Sequence, residues 1–251
     1  MSRRRASLRP GTLRPAPAAR GPRPGPDALQ RTARSPSAGR RNACPLRAPT
    51  GTSRRRSTPT ALLTHGHVDH AEGARTLAAA CGVGVRALDP EHRLGDEGLA
   101  DGDVVNLGAW TIEVVATPGH SGDSVCLVVP HDGSVLTGDT VLGRGTSLVA
   151  WPDGRLADYL DSLRRLREVV DSSGVVRLLP GHGPVLADPG GVLDAYLDHR
   201  RARLAEVQEV MASGITEPAA IVEVVYADVP RAVWPAAELT VRAQLDYLQQ
   251  Q

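Results

Sequence analysis

The stretch Ala61-Leu62-Leu63-Thr64-His65-Gly66-His67-Val68-Asp69-His70 decides how this chain folds. A short apolar run ends in four potential metal ligands, and the helix-forming segment Ala71–Ala80 follows. That order places the ligands on a turn at the C-terminal edge of a strand, where α/β sheets present their sites. His65 and His67 lie two residues apart, so in extended backbone their imidazoles project to one side and can share an ion. Asp69 and His70, at the start of the helix, face a second. Imidazole and carboxylate together suit zinc, iron or manganese, and a donor set without thiolate argues against a closed structural zinc site.

The same arrangement recurs along the chain. Val104–Leu107 and Trp110–Ala116 read as strands, and the second runs into Thr117-Pro118-Gly119-His120. Ser124–Val129 and Ser134–Thr137 form a hairpin around Pro130-His131-Asp132-Gly133, since Asp-Gly is a strong turn signal, and the second strand delivers Asp139. The apolar stripe Leu156, Tyr159, Leu160, Leu163, Leu166, Val169, Val170 marks a helix over 155–171. Val175–Leu179 is the next strand and ends in Pro180-Gly181-His182. Four successive strand ends therefore supply His65, His67, Asp69, His70, His120, Asp139 and His182, enough for two ions sharing a carboxylate. His92 and His131 read as surface and turn residues.

Charge divides the chain. Residues 1–60 hold 15 Arg against the single acid Asp27, whereas residues 61–251 hold 14 Arg against 27 acids, so a net charge of +1 combines +14 and −13. Lys and Phe are absent throughout, a pattern that coding bias in a GC-rich genome produces. Residues 1–59 carry ten Pro and no Phe, Trp or Tyr, and they bury too little apolar surface to offset the entropy of ordering. They read as a disordered or aberrant segment. The prolines oppose an amphipathic transit helix, and no apolar core of a secretion signal is present.

Three cysteines, Cys44, Cys81 and Cys126, form no CxxC pair and no disulfide framework, which fits a reducing cytoplasm. No apolar run approaches the ~20 residues that a spanning helix requires, so no membrane partner is expected.

With these residues in hand, positions 60–190 resemble the metallo-β-lactamase superfamily. The resemblance assigns His65, His67 and His120 to one metal and Asp69, His70 and His182 to the other, with Asp139 bridging. It implies an α/β fold of the αββα sandwich type and two metal ions, usually zinc, with manganese or iron as alternatives. The implied chemistry is attack by a hydroxide bridging the metals, with Asp69 accepting a hydrogen bond from that nucleophile. The family builds its first sheet partly from strands before the His cluster. Residues 1–59 show no such strands, so the first sheet is expected to be incomplete.

Three helices are expected in residues 191–251: one over Leu193–Met211, one capped by Thr216 and running to Tyr226, and one over Glu238–Gln250. This is a winged-helix-like appendage. Gly138–Thr146, Asp158-Tyr159, Ser162-Leu163 and Tyr196 with His199-Arg200 look like the lactamase-β-like branch that carries a C-terminal winged helix, which includes endoribonucleases and glyoxalase-II-like proteins. The implied reaction is phosphodiester hydrolysis of single-stranded RNA, with Arg144, His199 and Arg200 as substrate contacts and Arg201 and Arg203 as further cations. Hydrolysis of a small ester or thioester is the alternative, and an inactive metal- or RNA-binding paralogue is a third reading.

Overall fold

The computed structural model describes residues 59–251. The expectations for the N-terminal segment, including its strand content and Cys44, lie outside the described residues. Two sheets are stacked between helices. Strand β1 (Thr60–Leu62) pairs in parallel with β2 (Gly84–Arg86) through a crossover containing α1 (Val68–Ala71) and α2 (Ala74–Cys81). The second sheet has the order β3 (Val104–Leu107), β4 (Trp110–Ala116), β5 (Val125–Val129), β6 (Ser134–Gly138) and β7 (Arg177–Pro180). Its first four strands are antiparallel neighbours, and β6 and β7 are parallel across α3 (Leu156–Ser173).

Residue alternation explains the layering. In β5, Val125 and Leu127 face one way and join Leu99, Val105 and Val114 against Leu62 and Leu136, forming the layer between the sheets. Cys126 and Val128 face the other way and pack with Val115, Val135 and Leu178 beneath Tyr159, Leu163 and Leu166 of α3. A strand covered on both faces needs no polar side, which is why Val-Cys-Leu-Val-Val is continuously apolar. On the outer face of the small sheet, Leu63, Val85 and Ala87 meet Ala74 and Ala78 of α2. This is the αββα order, with a two-stranded first sheet among the described residues.

Three further helices follow: α4 (Pro189–Ala212), α5 (Pro218–Val225) and α6 (Trp234–Gln249). The first half of α4 sends Leu193, Tyr196 and Leu197 into the core under the large sheet. Its second half sends Val207 into a separate cluster with Ile221, Val222, Val225, Ala237 and Val241. Helix α4 thus belongs to two cores. Among the described residues no helix is long and apolar enough to cross a membrane.

Several boundaries differ from expectation for local reasons. The helix-forming segment Ala71–Ala80 is interrupted at Glu72-Gly73: α1 ends at Ala71 and α2 begins at Ala74. Helix α4 starts four residues before Leu193, because the Asp188 carboxylate accepts from the Gly191 N–H at 3.1 Å and Pro189 fits the first turn. Thr216 does not cap α5; Glu217 precedes Pro218 there, without a side-chain cap.

Candidate metal centre

Each ligand-bearing loop leaves the sheets on the same edge. The Thr64 carbonyl accepts from the Val125 N–H at 2.8 Å, which ties the His65 turn to the neighbouring sheet. His65 is only 2% exposed, and its Nδ1 lies 3.2 Å from Thr64 Oγ1, leaving Nε2 turned inward. His120, 8% exposed, has Nδ1 2.7 Å from the Leu148 carbonyl. A proton on that Nδ1 leaves Nε2 with its lone pair free for a metal.

The seven ligand candidates converge. His120 Nε2 is 3.0 Å from His67 Nδ1, and with His65 these donors all lie within 4.8 Å of one another. His70 Nε2 is 3.1 Å from His182 Nε2, and His182 Nε2 is 3.1 Å from Asp69 Oδ2. Asp139 stands between the two groups. Its carboxylate lies 3.3 Å from His70, 3.5 Å from His182 and 3.9 Å from His120. His65, His70 and Asp139 form a further triple within the same 4.8 Å limit.

The donor set fits divalent cations. His65 Nε2 and Asp139 Oδ1 are buried without a hydrogen-bond partner, a costly state for both atoms. Two pairs of imidazole nitrogens face one another near 3 Å, where a cation removes the conflict between lone pairs. Burial, reinforced by His70, His120 and His67, pushes the His65 pKa from 6.5 down to about 3, and burial likewise lowers that of His120. Both are therefore neutral at neutral pH, the form that binds metal. Gly181 completes the cradle: a Cβ there would lie 2.6 Å from His70 Cε1 and 2.7 Å from Asp139 Oδ1.

The residues read as substrate contacts fall in three different settings. Arg144 is exposed on the loop beside His182, whose carbonyl accepts from the Gly143 N–H at 2.8 Å. His199 is half-buried on α4, where burial and then Arg200 and Arg203 lower its pKa, and it joins none of the metal-ligand groups. Arg200 is 5% exposed; its guanidinium donates to the Ser147 carbonyl and stands 4.9 Å over the Tyr159 ring.

Sequence reasoning singled out Arg144 in the loop 141–155 but missed the support that residues 147–153 give the site. Ser147 and Leu148 support His120, and Asp153 Oδ2 lies 3.7 Å from His67 Nε2. This loop has no period to read, and its contacts to the site combine the Leu148 carbonyl with the Ser147 hydroxyl and the Asp153 carboxylate. His92, read as a surface residue, packs over Gly66, where a Cβ would lie 1.9 Å from His92 Nε2.

Comparison with known proteins follows the same division of the chain. Residues 59–182 match the metallo-beta-lactamase superfamily model, and residues 218–251 match that of the beta-lactamase associated winged helix domain. A beta-lactamase-like protein 2 homolog from Drosophila melanogaster is 28% identical over 78% of this chain and 70% of its own length. A lactamase-like protein nscB from Arthroderma gypseum is 33% identical over 62% of this chain, which spans 46% of that relative. The crystal structure of a metallo-beta-lactamase family protein from Thermus thermophilus superposes with a TM-score of 0.64, 21% identity and coverage of 76% of this chain and 74% of that one. With a histidine-rich site at the expected sheet edge, the chain belongs to the metallo-beta-lactamase superfamily of metal-dependent hydrolases and carries a C-terminal beta-lactamase associated winged helix domain.

Proposed function

We propose that this chain hydrolyses an ester-type bond with two divalent cations, zinc in the first instance and manganese or iron as alternatives. One observation carries the reading: the Asp139 carboxylate reaches toward histidines of both ligand groups. In this assignment His65, His67 and His120 hold one ion, Asp69, His70 and His182 hold the other, and Asp139 serves both. Bound cations supply Lewis acidity and a nucleophile at neutral pH. Asp69 accepts a hydrogen bond from the attacking water. Its carboxyl is held below the usual range: burial works against this, while its backbone hydrogen bond, His70 and His182 favour the charged form.

The adjoining cleft, about 500 Å³, favours a neutral carbonyl substrate such as a thioester. Asp89, Asp123 and Asp153 line it with His67 and His92, and its described lining includes no arginine. Arg201 pairs with Asp198 and Arg203 with Glu206, and Arg200 is buried, so these cations are committed within the protein. Single-stranded RNA is the second reading, supported by exposed Arg144 beside His182; a phosphate chain calls for several such contacts.

We divide the chain into a catalytic unit, 60–190, and a winged-helix-like unit, 191–251, with α4 shared between their cores. The buried Cys126 thiol, which forms no disulfide, supports a reducing cytoplasmic setting.

The test is parallel turnover of an N-acetylcysteamine acyl thioester and a labelled single-stranded RNA by the zinc-, manganese- and iron-loaded full chain, with Asp139→Ala as control. Thioester hydrolysis lost in the variant supports the first reading. RNA cleavage lost in the variant moves the protein to the second. Turnover of neither by protein with full metal content overturns both.

A further inference from the structure

The loop that supports the metal ligands is held from the C-terminal part of the chain. The Tyr196 hydroxyl accepts from the Leu142 N–H at 2.9 Å and lies 3.1 Å from the Leu142 and Gly145 carbonyls. One turn along α4, Arg200 donates to the Ser147 carbonyl. From α6, the Leu239 carbonyl accepts from the Trp151 N–H at 3.2 Å.

Ser147 is where this scaffold meets the site. Its hydroxyl donates to the Asp139 carbonyl at 2.6 Å and lies 3.3 Å from His120 Nδ1, while the next carbonyl, that of Leu148, takes the His120 Nδ1 proton. One residue thus fixes the backbone of the carboxylate between the two ligand groups and the ring of a histidine.

We propose that Arg200 is a positioning residue that sets the metal centre through Ser147, making α4 part of the site's support. Charge and geometry favour this role over simple packing. A guanidinium 5% exposed gives up hydration at considerable cost, and its visible compensation is one carbonyl and the Tyr159 ring, with Nε lacking a partner. An apolar side chain would fill that space more cheaply. What an apolar side chain cannot do is hold the Ser147 carbonyl. Arg203, one turn further, reaches the opposite way to the Val225 carbonyl at 2.8 Å and over the Tyr226 ring. The two arginines connect the metal loop and the C-terminal core through a single helix.

The inference rests on the metal-centre reading, and its test uses metal affinity so that it does not depend on the substrate. Zinc affinity of the full chain is measured by competition with a chromophoric chelator for wild type, Arg200→Met, Arg200→Lys and Ser147→Ala, with melting of the metal-free proteins in parallel. Arg200→Met and Ser147→Ala are each expected to weaken zinc binding by about 10–100-fold, Arg200→Lys to recover part of the loss, and the metal-free proteins to melt close to wild type. Leu193→Ala, which removes apolar packing of α4 but no hydrogen bond to the loop, lowers melting and leaves zinc affinity within about twofold. Unchanged zinc affinity in both Arg200→Met and Ser147→Ala overturns the proposal. Equal losses of affinity and melting in Leu193→Ala and Arg200→Met also overturn it, since packing alone then explains the effect. Wild type that binds no zinc overturns the metal-centre reading itself.

Discussion

The turns directly after β1, β4, β6 and β7 and the remainder of the β6–α3 connection, 141–155, sit side by side, yet they contribute to the site in different ways. The first group offers side chains: His65, His120, Asp139 and His182 each follow a strand by a few residues. The second contributes support: the Ser147 hydroxyl and the Leu148 carbonyl brace His120 and the Asp139 backbone, and the Ser147 carbonyl is held by Arg200. Ligands are a matter of side-chain chemistry, whereas their orientation depends on backbone positions fixed by a helix some fifty residues away in the chain.

Perturbing the ligands should therefore have the largest effects. Asp139→Ala, which removes the carboxylate lying between both groups, is expected to lower turnover by more than about 100-fold, beyond the usual loss for an outer support, and to reduce bound metal; steady-state kinetics with metal analysis checks this. Gly181→Ala drives a methyl toward His70 and Asp139 and should cost about 1–3 kcal/mol by overpacking together with a loss of zinc affinity, read by denaturant unfolding and chelator competition. Leu163→Ala, in the core beneath the large sheet, should cost about 2–5 kcal/mol while leaving the zinc affinity of the folded protein unchanged. That pair separates site from scaffold.

A milder probe is pH. His65 takes up a proton in the unfolded chain below 6.5 but in the folded chain only near 3, so the unfolded state binds more protons between these values. The metal-free protein accordingly loses stability as pH falls from 6.5 toward 3, and His120 shifts in the same direction. Melting temperatures at successively lower pH below neutrality should fall for wild type and fall less steeply for His65→Gln. The smallest effect is expected at Arg201, whose pair with Asp198 is exposed; Arg201→Ala should change stability by less than about 1 kcal/mol.

What the sequence reveals follows from the same contrast. Strands β3 and β4 are legible to the residue, because alternation and turn residues bound them. The double coverage of β5 is visible as an unbroken apolar run. Helix α4 is recognisable from Leu193 onward but not at its start, since Gly190 and Gly191 conceal a first turn that Asp188 caps. Arg200 is the hardest to interpret: in sequence it is one arginine in an Arg-rich turn, and only the approach of the Ser147 carbonyl separates it from its solvent-facing neighbour Arg201.

The most direct test of the central claim is the metal content and metal positions of the zinc-loaded full chain, by elemental analysis and anomalous diffraction. Two ions per chain are expected, one against His65, His67 and His120, the other against Asp69, His70 and His182, with Asp139 touching both. A single ion at full loading, or two ions of which neither contacts Asp139, would contradict the account.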